Sequence, residues 1–267
     1  MPELPEVETI VRSFRKRLTG RRIVAFESRW ERQVSPDVST LRRMVVGQSI
    51  ARLGRRGKYI VFQLSDSGWM LVHLKMSGRL EWERPDQPEP PHVRAAWKLD
   101  GRDRLLFCDA RKFGRIVYVP DLADISGRLG LEPLARTFSI TRLAEVLGRR
   151  ARRLKPLLLD QSIVAGLGNI YADEALFRAG LHPLARSDRL TPAQVARLHR
   201  AIRDALTAGI RHNGATIDWV YPSGNMQDHF RVYGRTGKPC RRCCTPIEYL
   251  RVAQRGTHIC PRCQPPV

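Results

Sequence analysis

A proline and a glutamate follow the first methionine: the chain opens Met1-Pro2-Glu3. Methionine aminopeptidases remove Met ahead of a small residue such as Pro. That would leave a secondary amine with a carboxylate beside it. An α-amino group titrates near about 7.7–8.0, so a useful fraction is neutral at working pH. A neutral amine adds to an electrophilic carbon to form a Schiff base. The imine of a proline is an iminium cation as soon as it forms. Taken alone, these three residues read first as the plain start of an exposed terminus, and it is the rest of the chain that reverses this.

A second set of residues carries metal chemistry. Cys240-x2-Cys243 is followed, after sixteen residues, by Cys260-x2-Cys263. Each pair suits a tight turn that aims two sulfurs at one Zn2+, so the four fit a structural four-thiolate site. Cys244 stands next to Cys243 and could substitute for it, although Cys243 has the better spacing. Disulfides would suit a secreted chain, but Glu3, Glu6 and Glu8 are not the start of a signal peptide. Cys108 falls inside an apolar strand and reads as a core residue.

The charge balance names the kind of partner. The 267 residues include 47 Lys+Arg against 26 Asp+Glu, a formal net charge of +21. Such a field favours a polyanion, nucleic acid first and anionic membrane second. No run approaches the ~18 apolar residues of a membrane span, which leaves a soluble intracellular protein as the expectation. Only seven of the basic residues are Lys. Arg forks suit phosphates and base edges, whereas amine chemistry belongs to Lys; base-composition bias in the source genome would explain part of the excess. Arg231, Arg235, Lys238, Arg241, Arg242, Arg251, Arg255 and Arg262 surround the cysteine module. It reads either as a basic groove probe or as a zinc staple with a solvated basic face.

These residues need elements to hold them. Val7, Ile10, Val11, Phe14 and Leu18 form a helical stripe over 5–18, stopped by Gly20. From Ile23 to about Pro120 the signals are strands. Residues 58–64 and 69–74 read as a hairpin around Ser65-Asp66-Ser67-Gly68. Residues 93–99 and 105–108 read as another around Asp100-Gly101-Arg102-Asp103, and 115–119 as a further strand. An antiparallel sandwich or barrel-like domain follows. After about residue 130, helical spacing appears near 139–149, 155–164, 170–179 and 191–213. Thr191-Pro192 is an N-cap with Pro at the first helical position. Gly166-Leu167-Gly168-Asn169 opens a helix at Ile170, where amide groups can bind phosphate. Asn169 would also serve as an ordinary N-cap. A dinucleotide site fits poorly, because Asp188 precedes a helix start and does not end a strand.

Met-Pro-Glu-Leu-Pro-Glu-Val-Glu-Thr at 1–9 resembles the start of formamidopyrimidine-DNA glycosylases. So do His73-Leu-Lys-Met-Ser-Gly78, Asp109-Ala-Arg-Lys-Phe-Gly114, Gly166-Leu-Gly-Asn-Ile-Tyr-Ala172 and the cysteine hairpin, in the family's order. The resemblance implies an α+β chain: an N-terminal helix with an antiparallel β-sandwich over 2–130, a helix-two-turn-helix domain over 131–222, and a β-hairpin zinc finger over 230–264. It implies one structural zinc and a monomer that binds damaged or abasic double-stranded DNA between its domains.

Site residues follow from the same resemblance. Pro2 would attack C1′ of the damaged nucleoside and displace the base. Glu3 would be the acid that assists sugar ring opening, with Glu6 positioning the site. Lys58, in Gly57-Lys58-Tyr59, matches the hairpin lysine that contacts the lesion and assists elimination. Arg255 matches the finger arginine that grips phosphates, with Asn169 on the same phosphates. Met76, Arg111 and Phe113 match the side chains that fill the hole left by a flipped base, a step that costs a few kcal/mol. His92 and Arg150 match further DNA contacts. The residues alone leave other roles open: helix N-terminal charge for Glu3 and Glu6, a solvated strand edge for Lys58, core packing for Met76 and Phe113.

Two departures stand out. Lys75 occupies a position where some members have Gly. The segment from Tyr221 to Phe230 looks shorter than the family's Gly-rich loop over the oxidised purine, which bears on 8-oxoguanine preference. The alternatives are an endonuclease VIII-type enzyme for oxidised pyrimidines, against which Leu4 argues because that relative usually has Gly there, and a non-catalytic damaged-DNA binder.

Overall fold

The computed structural model describes residues 1–83, 88–216 and 224–266. They form two compact units, one built on Met1–Pro2 and Glu6–Gly127, the other on Glu3–Pro5, Arg128–Ala215 and residues 224–266.

Helix α1 (Leu4–Leu18) leads into β1 (Ile23–Ser28), β2 (Val34–Ser35), α2 (Val38–Val45), β3 (Ile50–Arg56), β4 (Tyr59–Leu64), β5 (Trp69–His73), β6 (Gly78–Trp82), β7 (Val93–Leu99), β8 (Arg104–Asp109), β9 (Arg115–Val119) and the short α3 (Ala123–Ser126). The strands make a five-stranded sheet, β2-β9-β5-β4-β3, and a four-stranded sheet, β1-β7-β8-β6. Alternation dictates what lies between them. Ile60, Phe62, Leu64, Met70, Val72 and Ile116 of the first sheet share one buried cluster with Phe26, Trp97, Leu105 and Phe107 of the second, and the α1 stripe joins it through Val7, Ile10, Val11 and Leu18. The opposite face of the larger sheet is also apolar, with Val61, Leu71 and Val119 packed under Leu122 and Ile125. That double burial explains why β4 reads as a nearly continuous apolar run.

Both expected hairpins form, β4–β5 and β7–β8. Between these strands, among the described residues, the pairing is antiparallel except between β2 and β9, which run parallel over two residues. The strand reading of 23–120 missed α2. Its opening Val38-Ser39-Thr40 has β-branched, strand-like character, but the Asp37 side chain caps the helix at Thr40 N, 2.8 Å away. Cys108 sits in a small core cluster with Val93, Ala96 and Leu106, and burial pushes its thiol up to about 11.

The second unit carries α4 (Ile140–Gly148), α5 (Leu154–Leu159), α6 (Asn169–Ala179) and α7 (Pro192–Arg211), then the hairpin β10 (Glu248–Val252) and β11 (Arg255–Ile259). Thr191 caps α7 and forms a capping box with Gln194. Helical spacing suggested that α5 would run to 164. It ends at Leu159, and the Asp160 side chain takes the Ser162 amide and hydroxyl into a turn. α6 starts one residue early, at Asn169, with Gly168 in the cap position, so Asn169 is not the N-cap. Among the described residues no helix is long and apolar enough to cross a membrane.

Candidate functional site

In the first unit Pro2 is buried. Glu6, in the first turn of α1, is buried as well. Lys58 follows Gly57 (φ +54) in the tight turn between β3 and β4. It is 5% exposed, so it is not a solvated strand-edge lysine. His73, at the end of β5, packs edge-on to Tyr59. Its Nδ1 accepts the Lys75 amide at 3.0 Å, a role that needs an unprotonated nitrogen. Burial, then the nearby Lys75 and Lys58 charges, pushes its pKa down to about 3.

Met76 and Phe113 are 39% and 47% exposed, which removes the core reading for both. A fully buried carboxylate sets the loops that carry them. Asp109 Oδ1 accepts the Ser77 hydroxyl at 2.5 Å and the Arg111 amide at 3.2 Å, while Oδ2 accepts the Gly114 amide at 2.7 Å. One side chain thus ties the turn after β5 to the loop after β8. The Arg111 guanidinium lies over the Phe113 ring at 4.9 Å, and the Lys112 ammonium over Trp30 at 4.4 Å. Lys75 and Lys112 both adopt left-handed backbone, φ +53 and +58. Glycine suits that conformation without a Cβ penalty, so both lysines hold a backbone that carries a cost for their side chains. His92 is exposed and also left-handed, φ +66; its carbonyl accepts the Asp109 amide.

In the second unit the Glu3 carboxylate caps α6. It accepts Gly168 N at 2.7 Å, Ile170 N at 2.9 Å and Tyr171 N at 3.3 Å. The helix-terminal charge that the sequence allowed for Glu3 therefore exists, but on a helix 165 residues away. A Cβ at Gly168 would stand 2.3 Å from Glu3 Cδ, so this close approach demands glycine. Asn169, on the first turn of α6, donates from Nδ2 to Gly256 O at 3.0 Å. Arg150, beyond α4, and Arg255, which begins β11, are exposed.

The sulfurs of Cys240, Cys243, Cys260 and Cys263 all lie within 4.8 Å of one another. Zn–S bonds of about 2.3 Å in a tetrahedron put sulfurs roughly 3.8 Å apart. The separations of 4.0 Å (Cys240–Cys263), 3.4 Å (Cys243–Cys260) and 3.5 Å (Cys243–Cys263) match that cage. Hydrogen bonding to Thr245 draws the Cys243 thiol down to about 6, whereas burial pushes Cys263 up to about 12. Cys244 is exposed and outside the cluster. The four cysteines form one structural zinc site.

Among the described residues, sequence reasoning missed the buried carboxyl groups of Asp109, Asp173 and Glu174. Glu174, on α6, accepts the amides of Arg231, Val232 and Tyr233 at 2.8, 2.9 and 3.1 Å. It also holds Arg178 at 2.6 Å. The signal was weak but present: the apolar-rich run from Ile170 to Ala179 contains two adjacent acids, and the structure buries nearly all of it.

A sandwich led by a buried Pro2, a glycine-capped helix end and a four-thiolate hairpin define a zinc-finger protein of the helix-two-turn-helix class. The comparisons make this specific. Residues 1–116 match the model described as formamidopyrimidine-DNA glycosylase N-terminal domain, 129–220 the H2TH domain of the same enzymes, and 237–266 the zinc finger found in FPG and IleRS. The chain is 44% identical over 272 residues to a formamidopyrimidine-DNA glycosylase of Herpetosiphon aurantiacus, covering 99% of this chain and 100% of that one. It is 46% identical over 276 residues to one of Chloroflexus aggregans, covering 99% and 98%. A structure of MutM in complex with carbocyclic 8-oxo-G containing DNA superposes with a TM-score of 0.92 at 35% identity, covering 99% and 100%. The wild-type Lactococcus lactis Fpg with N7-benzyl-Fapy-dG DNA gives the same figures. The chain belongs to the formamidopyrimidine-DNA glycosylase family.

Proposed function

We propose that this chain excises oxidised purines, 8-oxoguanine and formamidopyrimidines, from double-stranded DNA and then cleaves the abasic strand. The relatives named above are formamidopyrimidine-DNA glycosylases by name, and structural neighbours hold carbocyclic 8-oxo-G, Fapy-dG and abasic-site DNA. The observation that carries the reading is a buried Pro2 joined directly to a Glu3 whose carboxylate three amides hold in place.

With Met1 removed, the Pro2 nitrogen bonds to C1′ and the C1′–base bond breaks, the base leaving with its electron pair and taking a proton from water, while the proton on the Pro2 nitrogen passes to the Glu3 carboxylate. Glu3 delivers a proton to the ring oxygen as the sugar opens, which gives the iminium. The iminium draws electrons from C2′, so a base can take a C2′ proton and expel the 3′ phosphate. A second proton loss, from C4′, expels the 5′ phosphate. Lys58, buried in the turn before β4, contacts the lesion phosphate and assists these eliminations; Glu6 orients the site. Arg255, Asn169, Arg150 and His92 grip the backbone, the role such donors play in positioning. Met76, Arg111 and Phe113 fill the vacated stack, with Arg111 able to read the orphaned cytosine edge. The zinc folds the finger and takes no part in a bond-making step.

Borohydride trapping tests the reading. A covalent adduct is expected on 8-oxoguanine and abasic duplexes, and its loss when the terminus is blocked or Met1 retained. An adduct that survives a blocked terminus would sink the Pro2 mechanism. Competition between 8-oxoguanine and thymine-glycol duplexes ranks the lesions. It matters here because the segment from Tyr221 to Phe230 departs from the family's Gly-rich loop; residues 221–223 of it lie outside the described residues.

A further inference from the structure

Contacts from α5 and α6 converge on three consecutive residues of β11. Lys155 Nζ donates to Gly256 O and to Thr257 Oγ1, each at 2.8 Å. Asn169 Nδ2 adds a second donor to Gly256 O. Asp173 Oδ2 accepts the His258 amide at 2.9 Å and lies 3.4 Å from the His258 ring Nδ1. Lys155 and Asp173 close the set as an ion pair of 2.6 Å with both side chains fully buried. Around them, Tyr233 and Tyr249 pack edge-on to the His258 ring. None of these bonds uses a cysteine.

The geometry matters because of what stands beside it. Arg255 directly precedes Gly256. Cys260, the nearest zinc ligand, is five residues along the strand, roughly 16 Å at about 3.3 Å per residue. A lone two-stranded hairpin is only marginally stable. A metal at one end therefore leaves the other end poorly held, and the Lys155–Asp173 pair grips that other end.

We infer that Asp173 is a positioning residue for Arg255. Its carboxylate, acting through Lys155 and the His258 amide, sets where the hairpin tip lies, separately from the zinc. This rests on Arg255 being a DNA contact. Misplacement by about 1 Å can cost on the order of 100-fold in rate.

The test is a double-mutant cycle on the zinc-loaded full chain. Asp173→Asn, Arg255→Ala and the double variant are compared for zinc content, KM and kcat on a lesion duplex, and hydrogen exchange at residues 256–258. Lys155→Gln/Asp173→Asn serves as a second variant that strands no buried charge. Expected are unchanged zinc, a 10- to 100-fold fall in kcat/KM for Asp173→Asn, little further fall in the Arg255→Ala background, and faster exchange at 256–258. An equal fall in both backgrounds, or no fall in the native one, overturns the inference. If Arg255→Ala alone leaves activity intact, the DNA-contact reading of Arg255 fails instead. Exchange then decides the inference, and unchanged protection at 256–258 overturns it.

Discussion

His73 shows how one side chain links burial to solution behaviour. Its pKa is about 3 in the folded chain against about 6.5 unfolded. Between those values the unfolded state binds the extra proton, so this group's contribution to stability is complete above about pH 6.5 and erodes as pH falls towards 3. The erosion approaches ~1.4 kcal/mol per pH unit. Chemical denaturation at pH 7 and pH 5 should show the drop, and His73→Gln should flatten it; an equal slope in the variant would remove His73 from the account. At Gly168 the issue is space. Gly168→Ala puts a Cβ 2.3 Å from Glu3 Cδ, and such overpacking costs typically 1–3 kcal/mol. Because the displaced group is Glu3, activity should fall more than thermal stability does. A variant that loses stability alone would separate the carboxylate's cap role from its chemistry.

Elements are tied here by carboxylates buried at their junctions. Asp109 fixes the turn bearing Met76 and the loop bearing Arg111 and Phe113 with three hydrogen bonds. Asp109→Ala leaves those donors without their buried partner, at roughly 1–3 kcal/mol for each that stays dry. Loop exchange should quicken at 76–78 and 110–114, and excision opposite cytosine should slow, with zinc content unchanged. Intact excision would mean that these loops hold their shape without Asp109. The Thr191 capping box belongs to the same scale. Thr191→Ala should lower stability by about 1 kcal/mol and leave turnover alone.

The whole molecule is strongly cationic, +21 by formal count. Each phosphate it neutralises releases counterions, so log affinity for duplex DNA should fall linearly and steeply with log salt. A flat profile would contradict the phosphate-gripping role. Cys260→Ser, or chelation, should cost zinc and DNA binding together, because metal binding and finger folding are one equilibrium. Tight binding that persists after zinc loss would reduce the finger to a peripheral part.

The chain alone determined whatever depends on local period and spacing. The paired cysteines, the Thr191-Pro192 helix start, the two β-hairpins and the apolar stripe of α1 were legible because neighbours in sequence share a turn or a face. Where local signals competed, as in α2 and the short α5, side-chain caps and turns at Asp37 and Asp160 decided the outcome. Only the tertiary structure brought Glu3 to the start of α6, Asp109 across two loops, and Asp173 and Glu174 beneath the finger. These are contacts across tens to more than a hundred residues. A carboxylate's partner at that range is chosen by packing and by the need to satisfy buried amides, which no spacing in the chain records.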